Sequence, residues 1–406
     1  MHGETQGTAR LQNGFSRIHG TYNHYHYIYN YLKELEIMLN LTFLKNNLVA
    51  AINTAMKAVP TRTSLPILEC FLLEAKYDTV TLTANDMEMA VKTTVDAEVA
   101  ENGRVAVDAK IFSEIVRKLP EDEVNISVTE NLQVRITSGK AHFEIAGKDG
   151  EDFVDMPIME KGTPVVVSQM TLKDIIEETI FSIAPNENNK MMTGELFEIN
   201  NNVLRVAALD GHRIAIRYSV LPDFYEKKAV IVPGKTLNDI SRILSGDAAK
   251  TVNIYMGRNN ILFEFDKTQL MSRLIEGEYF RINQMISDNY ETKLVFNRRE
   301  LLDCIERSVL LVRESDKKPL ILDIRDGGTV LSLNSVIGSM KEELEPEKEG
   351  KDLLIGFNPR FLSDALRAVS DEKVNLYLSN SRAPGYIRDD EGTYIYLILP
   401  VNFVAR

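Results

Sequence analysis

The sequence predicts an α+β fold made of three repeats of one domain, with antiparallel sheets and two helices in each domain. The main observation is one segment that occurs three times in the 406-residue chain. Its copies span residues 107–119, 232–244 and 357–369. They align without a gap, so Lys110, Lys235 and Arg360 follow one another at intervals of 125 residues. Self-similarity at a fixed period indicates repeated structural units, and this length suits about three domains of ~120 residues.

Each copy of the segment predicts a helix that is followed by a strand. Asp108 and Asn358 are good N-cap residues, and Pro359 stands where a first-turn proline belongs. A run of alternating apolar residues comes soon after each helix, at residues 124–128, 252–256 and 374–378. Such alternation is typical of a half-buried strand.

The repeated helix has an apolar face and a cationic face. At 100° per residue, Phe112, Ile115 and Leu119 cluster about 180° from Lys110, whereas Arg117 returns to within about 20° of it. The other copies place Leu237, Ile240 and Leu244 opposite Lys235 and Arg242, and Leu362, Ala365 and Val369 opposite Arg360 and Arg367.

Two interpretations of the cationic face remain open. Glu114, Asp239 and Asp364 each follow the first cation by four residues, so ordinary i,i+4 pairs on a solvated helix are one interpretation. The other is a wall that faces a polyanion. Because the same register occurs three times, the second interpretation is favoured.

Composition limits the class of protein. The chain is 44% hydrophobic, but no run of 18 apolar residues predicts a membrane span, and we expect no signal peptide. Cys70 and Cys304 lie in apolar segments, which fits reduced, structural thiols in a cytosol. The net charge of −12 argues against nucleic acid over the whole surface but allows one local basic surface.

The predicted domains span residues 38–161, 162–288 and 289–406. Residues 1–37 form an N-terminal extension that we expect to be disordered or to lie upstream of a true start at Met38. Two histidines in this extension, His24 and His26, have no third ligand at a recognisable spacing, so no metal site is expected.

The remaining elements follow from local signals. In the first domain, Thr42 is predicted to cap a helix that ends at Met56, and strands are predicted at 65–75, 79–85, 89–95, 133–136 and 142–146. In the second, a capping box at Thr171 predicts a helix that ends at Ile183, followed by strands at 194–199, 203–209 and 212–219. In the third, a helix at 297–312 precedes strands and a closing hairpin that ends at Pro400.

Two polar motifs resemble functional loops. Asp210-Gly-His-Arg213 lies between alternating strands, where Asp-Gly predicts a hairpin turn that carries exposed binding residues. Arg325-Asp-Gly-Gly328 predicts a second hairpin, since no helix follows its glycines. Neither motif supplies a nucleophile with its base, and the chain shows no phosphate loop or metal-ligand spacing. We therefore expect a protein that is not an enzyme and needs no cofactor.

Four segments, at residues 65–68, 208–213, 356–360 and 394–400, resemble the bacterial DNA polymerase III beta subunit family, the sliding clamps. The resemblance runs from Met38 to about Asn402 and includes the three repeats. It implies three clamp domains per chain and a head-to-tail homodimer, with helices lining a ring and sheets outside. It implies a non-catalytic processivity factor of DNA replication, in the bacterial cytoplasm, that encircles double-stranded DNA without reading its sequence. The partners implied are the replicative polymerase, the clamp loader and repair proteins, which dock through short linear peptides.

The resemblance also implies roles for individual residues. The DNA-facing residues are Arg62, Lys110, Arg117, Lys235, Arg242, Arg360 and Arg367. The peptide-binding pocket comprises Met192, Leu209, His212, Arg213, Ile214, Phe280, Met285, Asn358, Pro384, Leu397, Leu399, Pro400 and Val401. The dimer contact pairs Phe143 of one chain with Leu310 and Leu311 of the other. This sequence departs from the family pattern at Phe280, where proline is usual, and in a tail that continues to Arg406.

Two other classes of protein remain as alternatives. A nuclease or nucleotidyltransferase would need carboxylates clustered around metal in one cleft, whereas the acidic residues here are spread over connectors. A peptide-binding scaffold that does not encircle DNA would share the pocket but not the cationic wall.

Overall fold

The computed structural model describes residues 37–185, 189–313 and 318–403. These residues form two compact units that divide between Pro157 and Ile158. The first unit contains the first copy of the repeated segment, and the second unit contains the other two. Apart from Ile37, the predicted N-terminal extension lies outside the described residues.

Six α-helices occur in the described part of the chain, two for each repeat. They are α1 (Lys45–Ala55), α2 (Ala109–Lys118), α3 (Gln169–Glu177), α4 (Gly234–Ile243), α5 (Arg298–Val309) and α6 (Pro359–Arg367). The predicted caps are confirmed: the Asp108 carboxylate accepts from the Ile111 amide at 2.7 Å, and the Asn358 side chain accepts from the Arg360 amide at 3.0 Å. Together with the sheets, these helices confirm the predicted α+β fold with two helices in each repeat.

The first unit has nine strands in one antiparallel arrangement. They are β1 (Ile37–Leu44), β2 (Cys70–Lys76), β3 (Thr79–Asn85), β4 (Met89–Val95), β5 (Ala97–Glu101), β6 (Gly103–Asp108), β7 (Glu123–Thr129), β8 (Gln133–Ser138) and β9 (Ala141–Asp149). Their order within the unit is β4-β3-β2-β6-β9-β8-β7-β1-β5. The core lies between this sheet and the two helices, where Phe71 of β2 meets Phe112 of α2 edge to face.

The second unit has fifteen strands in the described residues. They are β10 (Val165–Ser168), β11 (Gly194–Leu209), β12 (Arg213–Pro233), β13 (Thr251–Met256), β14 (Asn260–Phe265), β15 (Thr268–Arg273), β16 (Thr292–Asn297), β17 (Leu320–Arg325), β18 (Gly328–Asn334), β19 (Ser339–Leu344), β20 (Glu347–Gly350), β21 (Leu353–Phe357), β22 (Lys373–Leu378), β23 (Gly385–Arg388) and β24 (Tyr394–Ile398). Within the unit they run in the orders β10-β13-β14-β15, β11-β12-β24-β23-β22-β16-β20 and β19-β18-β17-β21.

One pairing connects the second repeat to the third. The long strand β12 pairs antiparallel with the C-terminal strand β24, from Arg213 opposite Ile398 to Arg217 opposite Tyr394. This pairing places the end of the β11–β12 hairpin beside the C-terminal residues of the chain. Four of the predicted pocket residues lie on these strands, namely Leu209, Arg213, Ile214 and Leu397.

Two helix starts differ from the prediction. Thr42 belongs to β1, where its hydroxyl donates to Asn125 Oδ1 at 2.6 Å, and α1 begins only at Lys45. The alternating buried residues Leu39, Leu41 and Phe43 favour the strand. The N-cap of α3 is Ser168, three residues before the predicted Thr171, and its hydroxyl accepts from the Thr171 amide at 3.0 Å.

Several predicted ends of helices and strands are also wrong. The helix α3 ends at Glu177, and a short 3-10 turn, Ile180–Ser182, takes up the rest of the predicted length. A 3-10 turn at Pro66–Glu69 replaces the start of the predicted strand 65–75, because proline has a fixed φ and no N–H to donate. The strands predicted at 194–199 and 203–209 are one strand, β11, with a bulge around Asn201, whose φ is +55°.

Candidate functional sites

The cationic faces of α2, α4 and α6 are present in the structure. All six cations are exposed, namely Lys110, Arg117, Lys235, Arg242, Arg360 and Arg367. The opposite faces are buried through Phe112, Leu237 and Leu362. One position differs from the prediction, since Ile115 is only half-buried and its neighbour Val116 fills the core. Arg62 is also exposed, in the loop before the 3-10 turn at Pro66–Glu69.

The three arginines of α2 and α6 contact neighbouring groups rather than forming a simple i,i+4 ladder. Arg117 donates to Asn53 Oδ1 of α1 at 2.8 Å, and Arg367 pairs with Glu306 of α5 at 2.8 Å. Arg360 donates to the Val312 carbonyl at 3.3 Å. All three side chains remain exposed despite these contacts, so their charges are accessible to solvent.

The Asp210–Arg213 motif is a hairpin turn, as predicted. Leu209 and Ile214 form the last pair of β11 and β12, and Gly211 has a φ of +88° that favours glycine. The Asp210 carboxylate accepts from the amides of His212 and Arg213 at 2.9 and 3.1 Å. The expectation that the turn exposes its binding residues holds for His212 but is wrong for Arg213, whose side chain is 11% exposed.

Arg213 connects three parts of the second unit. Its guanidinium donates to Asp210 Oδ2 at 3.0 Å, to Asp364 Oδ2 on α6 at 2.6 Å, and to the Phe181 carbonyl. It also lies 4.4 Å from the centre of the Phe361 ring. A cation this deeply buried is stable only when carboxylates and hydrogen bonds compensate its lost hydration, and here two carboxylates do so.

Five of the predicted pocket residues come together in one apolar cluster. Leu209, Ile214 and Leu397 are buried in it, and Met192 and Phe280 pack against it. The register explains the meeting, because Ile214 of β12 lies directly opposite Leu397 of β24. Sequence reasoning missed Tyr279, which is buried in the same cluster with its ring 5.7 Å from that of Phe280.

The other predicted pocket residues are not part of this cluster. Leu399 is exposed, and its amide donates to the His212 carbonyl at 2.9 Å. Met285 is exposed, and its carbonyl accepts from the Tyr386 hydroxyl at 3.5 Å. Asn358 caps α6. Pro384 and Pro400 are half-buried beside β23 and β24.

The C-terminal tail is fixed to β21. The Val401 amide donates to the Gly356 carbonyl at 2.8 Å. The Phe403 ring lies so close to Gly356 that a Cβ there would be 2.8 Å from a ring carbon. Phe403 in the extended tail therefore packs on the third repeat, a packing that the sequence did not indicate.

The predicted dimer residues lie in different units. Phe143 of β9 is exposed in the first unit. In the second unit, Leu310 is 77% exposed, whereas Leu311 is half-buried and packs against the core of the third repeat. Nearby, Gly338 approaches the Leu311 side chain, and the adjacent Val336 and Ile337 are exposed.

Burial raises the pKa of several titratable groups in the interior. Burial raises the pKa of Glu195 well above its ordinary value, and neither of its carboxyl oxygens has a hydrogen-bond partner among the described residues. Burial also raises the pKa of the Cys304 thiol to about 12 and that of Cys70 above its usual range. Both cysteines are free and buried.

Metal-ligand clusters and membrane-spanning helices are both absent from the described residues. No group of three or more His, Cys, Asp or Glu side chains in residues 37–185, 189–313 and 318–403 is placed to hold a metal ion. No helix in those ranges is long and apolar enough to cross a membrane.

Three family models match successive parts of the chain. They describe the N-terminal, central and C-terminal domains of the DNA polymerase III beta subunit and match residues 39–157, 166–280 and 283–402. The chain belongs to this family. Members of the family are sliding clamps, non-catalytic subunits of the DNA polymerase III holoenzyme, so the chain is not an enzyme.

Individual relatives agree with the family models. A beta sliding clamp of Staphylococcus epidermidis is 32% identical over 378 residues, which cover 90% of this chain and 100% of the relative. A solved structure from Eubacterium rectale, assigned as a DNA polymerase III beta subunit, is 54% identical with a TM-score of 0.87. The DNA polymerase sliding clamp of Bacillus subtilis is 29% identical with a TM-score of 0.87. Each structure covers 90% of this chain and is itself covered completely.

Proposed function

We propose that this chain is a processivity factor that encircles duplex DNA as a head-to-tail homodimer and tethers the replicative polymerase to it. The observation that carries the proposal is the threefold repetition of an exposed cation pair in one helical register, on α2, α4 and α6. Family membership supports the same function and does not favour a peptide scaffold that leaves DNA alone. We keep the domain bounds 38–161, 162–288 and 289–406 as part of this proposal.

The charges suit a surface that slides on DNA. Long cations aimed at phosphates attract the duplex without reading bases, and each contact is weak because solvent and salt screen it. The partners of Arg117 and Arg367, Asn53 and Glu306, weaken the contact further. The chain's net charge of −12 discourages nucleic acid elsewhere on the surface.

The apolar cluster at the β12–β24 junction suits peptide docking. Leu209, Ile214 and Leu397 provide a buried apolar floor, and the exposed His212 and Leu399 stand beside it. A concave apolar surface with few polar groups is typical of sites that hold short linear peptides. We assign to it the peptides of polymerase, clamp loader and repair proteins.

The dimer contact would use exposed apolar side chains from both units. Phe143 in the first unit and Leu310, Val336 and Ile337 in the second are exposed without an apolar cover in their own units. A contact between unlike surfaces is heterologous and closes into a ring only when the rotation suits. We place the protein in the bacterial cytoplasm, where buried free thiols such as Cys70 and Cys304 remain reduced.

Retention on circular and linear DNA tests the proposal directly. The protein is loaded onto a nicked circle by a clamp loader, the free protein is removed, and half of the sample is cut once. Topological binding predicts that the protein stays on the circle and is lost from the linear DNA. Equal loss from both would exclude encirclement.

A further inference from the structure

Asp364 lies on the helix that we propose faces DNA, yet its carboxylate is bonded to the peptide-pocket turn. It sits one turn from Arg360 and one turn from Arg367, the two exposed cations of α6. Its side chain is 33% exposed and accepts from Arg213 at 2.6 Å. Asp364 is therefore placed within reach of both proposed sites.

The same face of α6 contacts the turn a second time. Phe361, three residues before Asp364, places its ring 4.4 Å from the Arg213 guanidinium and 6.3 Å from the His212 ring. Arg213 in turn holds Asp210, whose carboxylate accepts from the backbone amides that shape the turn. The conformation of His212 is thus connected to α6 by a continuous series of hydrogen bonds and ring contacts.

We infer that Asp364 is a positioning residue for the peptide pocket, acting through Arg213. Without Asp364, the guanidinium loses one of its two carboxylates, and the turn that carries His212 loses its anchor on α6. This inference rests on the proposed peptide and DNA functions.

The substitution Asp364→Asn separates the two roles, because it removes the charge and keeps the size. Peptide affinity is measured by fluorescence anisotropy with a labelled decapeptide of the cognate replicative polymerase. DNA contact is measured as the lifetime of the loaded protein on nicked circles over a range of salt concentrations. We expect peptide affinity to fall about tenfold, equivalent to ~1.4 kcal/mol, with no shorter lifetime on DNA.

Glu306→Gln is the matched control. Glu306 pairs with Arg367 at 2.8 Å from the neighbouring helix α5, so the variant removes the same charge beside the same DNA-facing face. Both hydrogen bonds that Glu306 accepts in the described part of the chain come from Arg367, and neither involves Arg213 or the turn. We expect Glu306→Gln to bind peptide as the unaltered chain does.

A thermodynamic cycle distinguishes positioning from general weakening of the fold. Arg213→Lys removes the planar fork that reaches Asp210 and Asp364 together. If Asp364 acts through Arg213, Asp364→Asn should add little to the loss caused by Arg213→Lys, and Asp364→Glu should recover part of the affinity. Thermal unfolding of each variant identifies any that fail to fold.

Three results would each overturn the positioning role. They are unchanged peptide affinity in Asp364→Asn, an equal loss of affinity in Glu306→Gln, and full additivity of Asp364→Asn with Arg213→Lys. If the unaltered chain does not bind the peptide at all, the proposed function fails instead, before any variant is compared.

Discussion

At the scale of single residues, the interior of the second repeat contains a carboxyl group where an apolar side chain is ordinary. Glu195 is fully buried at the start of β11, and burial raises its pKa well above the ordinary value. A charged carboxylate in this position would be costly, so the group is neutral in the folded state. Proton binding by Glu195 is therefore coupled to folding.

The pH dependence of stability has a definite sign. The pKa of Glu195 is higher in the folded than in the unfolded chain. Its protonated form therefore adds most to the free energy of unfolding below the unfolded pKa of about 4.3, and this stabilisation is lost as pH rises through the folded pKa. Glu195→Gln, which cannot lose this proton, should unfold at a temperature that falls less between pH 5 and 8. The pH slopes of the free energy of unfolding in the unaltered chain and in the variant should differ by at most about 1.4 kcal/mol per pH unit, the value for one linked proton. If the melting temperatures of the unaltered chain and the variant changed equally with pH across this range, Glu195 would not titrate with unfolding.

Local signals predict some residue environments and not others. Asp108 and Asn358 were predictable as caps because a capping residue acts on amides two or three positions away. The environment of Arg213 was not, since its partner Asp364 is 151 residues distant in the chain. No local sequence pattern distinguishes an exposed binding arginine from a buried arginine that pairs with two carboxylates.

At the scale of elements, the repeats identified the helices better than any single segment could. The helices α2, α4 and α6 share one register, and that register was visible in the sequence. The start of α1 was mispredicted because threonine is a common N-cap residue, which made Thr42 the predicted cap. Burial of the alternating residues Leu39, Leu41 and Phe43 stabilises a strand there instead. Strand pairings such as β12 with β24 join distant segments, so the composition of the pocket came from the family resemblance and not from periodicity.

The C-terminal tail should contribute to both stability and peptide binding. Phe403→Ala removes the ring that packs on Gly356 and loosens Val401, whose amide donates to the Gly356 carbonyl. We expect a loss of about 1–3 kcal/mol in urea unfolding, less than for a fully buried phenylalanine, together with weaker peptide binding. Gly356→Ala should act in the same direction, because its new methyl group displaces the ring. Full stability in both variants would show that the tail does not pack on β21 in solution.

At the scale of the whole molecule, assembly can be tested without disturbing the fold. Leu310 is 77% exposed in the chain, whereas Leu311 packs on its own core, so Leu310→Ala is the cleaner probe of a dimer contact. Burial of a leucine at the contact is worth roughly 2–5 kcal/mol, which shifts a dissociation constant by one to several decades. Sedimentation should show monomer at concentrations where the unaltered chain is dimeric. The control Val220→Ala truncates another exposed side chain and should remain dimeric; equal behaviour of the two variants would place the contact elsewhere.

The cationic helices are tested by reversing one charge on each. Arg117, Arg242 and Arg367, all exposed, are replaced together by Glu, which makes each helix face repel phosphate beside the acidic Glu114, Asp239 and Asp364. Removal of one full phosphate contact lowers the salt slope of DNA binding by about 0.9. A single substitution should therefore weaken DNA affinity slightly, and by the same amount for every DNA sequence. The triple reversal should abolish loading and processive synthesis in primer extension with the cognate polymerase and loader. Dimerisation and peptide affinity should survive, because the three arginines belong neither to the apolar cluster nor to the contacts of Arg213.

A second triple reversal separates the position of the charges from their number. Lys76, Lys228 and Arg258 are exposed cations outside the three helices, and replacing them by Glu changes the net charge by the same amount. If net charge alone governed DNA contact, both triple variants would fail alike. If the helix faces form the wall that meets DNA, only the first variant fails. Normal synthesis by the variant reversed at Arg117, Arg242 and Arg367 would mean that these arginines belong to an ordinary solvated surface, the first of the two interpretations that the repeated helix allows.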